Sequence, residues 1–349
     1  MRVLLVSANR EQIPDPVFPL GMAYVAAAVE ASGHQIEVAD LCFGRRPLQN
    51  LGAQIVRFKP DVIGISLRNV DNAAYPRTVG YLALHRQVVD VAHGSSDAPV
   101  VLGGSGFSIM PLAYMRELNG DWGIVGEGER AFVALLQALE QGDDPATIAG
   151  VIPGSSYTAS STRRGLPPEP MLDWNEGLRP LRAAFDYPRY LRRGGMGNIQ
   201  TKRGCIFKCS YCTYPLLEGN RFRTRDPVDV VDEIESLQRD FGPHPLFFVD
   251  SILNFPHGHV EAICEEILSR GLALRWSCYA TPVKLDRNQA KLMARAGCEG
   301  IELGTDAVDD DQLARLGKSF DVATAERANR YCREAGLRVC HSIIFGAPG

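Results

Sequence analysis

Three of the chain's nine cysteines fall within eight positions of the stretch TKRGCIFKCSYCTYP, residues 201–215. They are Cys205, Cys209 and Cys212, with Tyr211 directly before the last; the other six stand singly and far apart. Thiolates are soft ligands that suit zinc and iron–sulfur clusters. Structural zinc usually takes four ligands in two separated pairs, and no second CxxC or HxxxH pair follows here. His244, His257 and His259 are the nearby candidates for a fourth ligand, and each reads better as a loop or helix-end residue. A short loop with three thiols can instead hold three corners of a cubane cluster and leave the fourth iron open. An open metal position admits a substrate and makes a site catalytic. The spacing therefore favours a cluster over zinc or a chance grouping.

Such a loop needs a frame. Strand NIQTKRG leads into it, and the helix DPVDVVDEIESLQRD follows, with Asp226 as its cap and Pro227 at its first position. Strands LFFVDS, RWSCYATP, GIELGTDA and RVCHSIIFG then alternate with helical segments. Five βα-type strands without an antiparallel signature predict an open barrel of parallel strands. The cysteine loop then sits at the carboxyl end of the first strand, where barrel active sites lie. No sixth strand or closing helix precedes Gly349, so a truncated (βα) partial TIM barrel lacking its C-terminal part is expected over 197–349.

The first ~145 residues alternate two periods in the same way. VLLVSA is a continuous apolar run, as a strand buried on both faces should be. LGMAYVAAAVEASG reads as a helix stopped by Gly33. Strands QIEVAD, PDVIGIS, PVVLGG and WGIVGEGE follow, with helices near 48–57, across Tyr75 to Ala92, around Leu112 to Leu118 and at RAFVALLQALEQG. This predicts an α/β, Rossmann-like doubly wound parallel sheet over 1–145, whose ligands sit beyond the strands' carboxyl ends. Between the two, residues 146–196 include GVIPGSSYTASSTRRGLPPEP, read as a small hairpin and an extended connector.

Composition agrees with a two-domain globular protein: 349 residues, 45% hydrophobic and 22% charged. The net charge, 37 − 41 = −4, gives no basic stripe for nucleic acid. No apolar run reaches the ~20 residues of a membrane span, and the N-terminus reads as a strand rather than a secretory signal. An odd number of scattered cysteines points to reduced thiols and a cytoplasmic location.

Cys205-x-x-x-Cys209-x-x-Cys212 with an aromatic at 211, preceded by KRG, resembles the radical S-adenosylmethionine (SAM) superfamily. The order of Rossmann-like domain, connector and barrel is similar to its cobalamin-binding branch. The resemblance implies a [4Fe-4S] cluster on the three cysteines, reductive cleavage of SAM to a 5′-deoxyadenosyl radical, and an electron donor such as flavodoxin or ferredoxin. It implies that Tyr211 lies near the adenine. Asp250 and Ser251, after the second strand, are implied for the SAM amino group, Glu302 and Thr305 for ribose or amino contacts, and Gly346 for the adenine. These four polar residues could instead be barrel-rim residues in ordinary turn chemistry.

For cobalamin, Ser66 resembles the serine, and Gly103 and Gly104 the double glycine, of corrinoid-binding domains; Gly126 and Glu127 lie in a turn frequent in the branch. The Asp-x-His-x-x-Gly motif of other corrinoid proteins has no counterpart in ANREQIPDPVFPLG, so cobalt should lack a protein imidazole. Leu67, Arg68 and Asn69 are then the residues expected beneath the corrin, although Arg68 could instead pair with Asp71. The implied reaction is methylation of an unactivated carbon of a small-molecule substrate. The alternatives are radical cyclisation or ring rearrangement, or an inactive corrinoid- or metal-binding protein with an incomplete barrel. Methylthiotransferases share the layout but carry three N-terminal cysteines for a second cluster, where this chain has only Cys42.

Overall fold

The computed structural model describes residues 1–74, 76–154 and 177–347. The connector expected over 146–196 lies partly outside them. The described residues divide into two compact units, 1–154 with 178–195, and 196–347.

The first unit is built on a six-stranded sheet: β1 (Arg2–Ser7), β2 (Gln35–Asp40), β3 (Val62–Ser66), β4 (Val100–Gly103), β5 (Trp122–Ile124) and β6 (Val151–Pro153). Its order is β2-β1-β3-β4-β5-β6. Neighbours among the first five are parallel, and β6 runs antiparallel to β5. Val3–Val6, Val62–Ile65 and Val100–Leu102 are almost wholly buried, except that the run includes Gly64 in place of a side chain. Both faces must therefore be covered, as parallel strands require. Helices Leu20–Ala31 and Gly128–Gln141 pack together, as do Pro47–Phe58 and Leu82–Ser95. The strand order reverses between β1 and β3, which opens a crevice beyond their carboxyl ends.

One local expectation is corrected here. The helix expected from Tyr75 begins at Leu82, because Asp71 and Asn72 pair with Gly80 and Val79 through an Asp71–Gly80 bridge and an Asn72-to-Val79 hydrogen bond. The helix around Leu112 is preceded by a separate turn of helix, Ser105–Ile109. Val151–Pro153, after Gly150, pair antiparallel with β5, and the rest of the hairpin expected there lies outside the described residues. Residues 178–195 return to this unit. Phe18 packs edge-on against Phe185, Tyr187 and Tyr190, and the Tyr190 hydroxyl donates to Asp40 Oδ2 at 2.7 Å. They thus cover the carboxyl end of β2.

The second unit carries a five-stranded parallel sheet, in the order β13-β12-β11-β10-β7: β7 (Gly197–Ile199), β10 (Leu246–Phe248), β11 (Trp276–Ala280), β12 (Cys298–Asp306) and β13 (Arg338–Ile343). Helices Pro227–Phe241, His259–Ser269, Arg287–Arg295 and Val322–Glu334 pack side by side in sequence order. The strand expected as NIQTKRG is broken. After Ile199 the chain leaves the sheet, and β8 (Lys202–Arg203) pairs antiparallel with β9 (Arg223–Thr224). This two-residue ladder closes the base of a loop that contains all three clustered cysteines.

Candidate functional site

The cysteine loop is held by its own backbone and by one acid. Gly204 has φ +85°, and a Cβ there would meet the Arg221 carbonyl oxygen at 2.0 Å, so only glycine fits. The Gly204 N–H donates to Glu218 Oε2 at 3.1 Å, and the Cys205 N–H donates to the Gly219 carbonyl at 3.1 Å. The turn between the second and third cysteines closes through a Cys212-to-Cys209 hydrogen bond of 3.2 Å. Cys205 is buried, Cys209 and Cys212 are half-buried, and all three thiols are free.

Burial raises the thiol pKa of Cys205 and of Cys209, and the neighbouring thiols push both in the same direction. Cys205 and Cys209 thus lie close to the other thiols of the loop. Yet among the described residues no three His, Cys, Asp or Glu side chains converge as on a single metal ion. Ligands on one zinc, with bonds of about 2.3 Å, would hold their sulfurs about 4 Å apart. Three thiols on one short loop are a soft donor set of the kind that holds an iron–sulfur cluster. Loading must also displace protons that the buried thiols retain.

Asp250 follows β10 and is 1% exposed. Its Oδ1 accepts from the Thr201 N–H (2.7 Å) and the Lys202 N–H (3.2 Å). Its Oδ2 accepts from the Thr201 hydroxyl (2.5 Å) and the Lys202 ammonium (3.0 Å). A carboxylate has about four lone-pair sites, so this one is saturated from within. Asp250 thus ties the entry of the cysteine loop to β10, and holding the SAM amino group, the role implied for it, would have to displace one of these partners. His259 Nε2 extends the network, 3.0 Å from the Thr201 hydroxyl, and burial lowers its pKa to about 4. Ser251, the next residue, lies on the loop side, with its hydroxyl 3.4 Å from the Gly204 carbonyl and a contact to the Cys205 thiol.

Tyr211 is half exposed, and its hydroxyl donates to Asp306 at the end of β12. Glu302 is half-buried in the same strand. Thr305 is buried, and its hydroxyl lies 2.7 Å from His341 Nδ1 on β13; the contact implied with SAM would have to displace that partner. Gly346 has φ +76° in an open turn. Tyr211, Ser251, Glu302 and Thr305 thus share the carboxyl-end rim of one sheet, whereas Asp250 lies beneath it.

In the first unit, Ser66 and Gly103 end adjacent strands in register. Gly104 has φ +98°, and a Cβ there would lie 2.9 Å from both the Leu67 carbonyl oxygen and Ser66 Oγ. Gly103 has no such neighbour; its nearest is the Ile124 carbonyl oxygen at 3.7 Å. The first glycine therefore leaves open space at the sheet edge, and the second allows the loops to touch. Ser108, buried and absent from the sequence reading, joins two of the turns: its hydroxyl donates to the Gly104 carbonyl and accepts from the Gly126 N–H, each at 2.8 Å. Glu127 is buried at the start of helix Gly128–Gln141.

Leu67 is corrected. Its side chain is fully buried in the core cluster rather than facing the crevice, because its N–H continues the ladder to Gly103. Arg68 and Asn69 remain half-buried on the loop. That loop is tied to the one after β1 by the Tyr81 hydroxyl, which donates to Glu11 Oε2. The hydrogen bond lowers the Glu11 pKa, and burial with the Glu11 charge raises Tyr81 to about 12. The open edge of glycines, the paired loops and the absence of a histidine in the β1 loop fit a corrinoid tail entering at the switch point.

Family models match both units: the B12 binding domain over residues 6–136 and the radical SAM superfamily over 199–349. Tryptophan 2-C-methyltransferase of Streptomyces laurentii is 29% identical, over 98% of this chain and 67% of that protein. An uncharacterized methyltransferase of Pyrococcus horikoshii is 27% identical over 100% and 74%. Among solved structures, the radical SAM methyltransferase TsrM from Kitasatospora setae, with tryptophan and a SAM analogue bound, gives a TM-score of 0.87 at 31% identity, over 100% of this chain and 68% of that one. Another TsrM structure holds cobalamin and a [4Fe-4S] cluster. The chain spans about two thirds to three quarters of the length of these relatives.

Proposed function

Because the chain belongs to the cobalamin-dependent branch of the radical SAM superfamily, we propose that it is a C-methyltransferase acting on a small-molecule substrate. The observation that carries this reading is one chain with two open sheet edges, one in each unit. A three-thiol loop stands at the carboxyl end of one parallel sheet, and a glycine-opened crevice stands at the carboxyl end of another. The relatives above are methyltransferases by name, which favours methyl transfer over the cyclisation and inactive-protein alternatives.

Bound at these edges, a [4Fe-4S] cluster with an open iron would supply an anchor and an electron for SAM, and cobalamin a carrier for its methyl group. The chain's own residues do the positioning. Cys205, Cys209 and Cys212 hold the cluster, while Gly204 and Glu218 fix the turn that aims them. Ser251 and Tyr211 flank the loop on the side where SAM would lie. In the other unit, Ser66 and Gly103 leave room for the nucleotide tail, and the Glu11–Tyr81 tie keeps the two loops around the crevice together. Reduction calls for a small one-electron carrier such as flavodoxin or ferredoxin. Nine free thiols support a reducing, cytoplasmic setting, and no described helix is long and apolar enough to cross a membrane.

The test is anaerobic reconstitution with iron, sulfide and cobalamin, then incubation with SAM deuterated on its methyl group and a substrate panel that begins with tryptophan. The reading expects S-adenosylhomocysteine and label on cobalamin. Consumption of SAM to 5′-deoxyadenosine without any S-adenosylhomocysteine would overturn methyl transfer.

A further inference from the structure

A second segment grips the cysteine loop from the far side of the sheet. The Ser210 N–H donates to the Leu316 carbonyl at 2.9 Å. Gly317 has φ +73°, and a Cβ there would lie 2.6 Å from the Lys208 carbonyl oxygen and 3.5 Å from the Cys209 Cα. The next residue, Lys318, forms a nearly buried ion pair with Asp306, their side chains 7% and 5% exposed. Its ammonium also donates to the Tyr211 hydroxyl and the Gly304 carbonyl, each at 3.1 Å. Asp306 in turn accepts from the Tyr211 hydroxyl and holds φ +66°, an uncommon backbone for a residue with a side chain. Strained residues persist where their surroundings over-determine them, and they gather at functional sites. This ion pair, 95 to 107 residues from Tyr211 in sequence, is assigned no role by the motifs above.

We propose that Lys318 and Asp306 are positioning residues for the cluster: together they pin Tyr211, and as a balanced pair of charges they set the cluster's reduction potential from the Cys209 side. The pair stands beside the Cys209 end of the loop: a Cβ on Gly317, directly before Lys318, would lie 3.5 Å from the Cys209 Cα, and both side chains meet the hydroxyl of Tyr211, two residues after Cys209. A reduced cluster carries one more negative charge than an oxidised one. A cation beside it favours reduction and an anion opposes it, more strongly in a site shielded from water. Breaking the pair from either end therefore has opposite consequences. Without the ammonium, an unbalanced carboxylate faces the cluster; without the carboxylate, an unbalanced ammonium does.

The inference rests on the reading that Cys205, Cys209 and Cys212 hold a cluster. The test is an EPR-monitored redox titration of reconstituted full-length protein without SAM, comparing wild type with Lys318→Met and Asp306→Asn. At the wild-type midpoint, the ratio of reduced to oxidised cluster is expected to fall about tenfold in K318M and rise about tenfold in D306N; for one electron a tenfold change is about 59 mV. Shifts of the same sign, or none, would overturn the proposal, because a purely structural clamp loosens alike from both ends. If K318M fails to retain iron, Lys318→Arg, which keeps the charge and can reach the Gly304 carbonyl, must retain it near the wild-type potential; loss of iron in K318R as well counts against the proposal. A wild-type protein that takes up no cluster would instead refute the functional reading.

Discussion

Asparagine at position 250 keeps the shape of the side chain and removes its charge. The two backbone N–H groups that Oδ1 accepts, from Thr201 and Lys202, can still be met by an amide oxygen. The amide nitrogen then faces the Lys202 ammonium, donor against donor. Lys202 is 1% exposed and keeps the Leu253 carbonyl at 3.1 Å and the face of the Phe222 ring, neither of which carries a charge. Leaving one member of a buried pair uncompensated costs about 3–5 kcal/mol. For a unit of about 150 residues each kcal/mol lowers Tm by roughly 2–4 °C, so D250N should melt about 10 °C below wild type. Differential scanning calorimetry of the metal-free protein reads this directly. The companion variant Lys202→Met removes the other charge, and the double variant should recover part of the loss, because two removed partners leave no lone buried ion. A D250N protein that melts with wild type and only binds SAM more weakly would refute the internal role and return Asp250 to the cofactor.

Two further expectations concern the first unit. Gly103→Ala meets nothing closer than 3.7 Å and should leave stability within about 0.5 kcal/mol, yet weaken cobalamin binding in optical titration. Gly104→Ala, at φ +98° and 2.9 Å from two atoms, should cost about 1–3 kcal/mol in thermal melts. His85 is buried with Nδ1 unpartnered, and burial lowers its pKa from 6.5 to about 4. The unfolded state therefore binds the extra proton first, so stability is full above pH 6.5 and falls as pH drops toward 4, by about 3 kcal/mol at most. Unfolding of His85→Leu across that window should have a shallower pH slope than wild type, and equal slopes would contradict the assignment.

What could be read from sequence was local. The cysteine motif is three residues on one loop, and the long strands are unbroken apolar runs, so both stand out without tertiary information. The short strands do not: β8 and β9 are two residues each, too few for any period, although together they close the cluster loop. The internal ties of Asp250 were not legible, because its partner Lys202 lies 48 residues upstream and a sequence does not show which way a carboxylate faces. Leu67 was misplaced for the same reason, since its neighbours Ser66 and Arg68 suggested a loop facing ligand while the ladder continues through its N–H. Ser108, Asp306 and Lys318 carry no motif; they matter only because folding brings distant turns together.

The most direct measurement is EPR of the anaerobically reconstituted, chemically reduced protein before and after addition of SAM. Ligation of the sulfonium cofactor at an iron that no cysteine claims predicts a changed g-tensor of the [4Fe-4S]⁺ signal on addition. A spectrum indifferent to SAM, or zinc in place of iron on the three thiols, would contradict the account at its root.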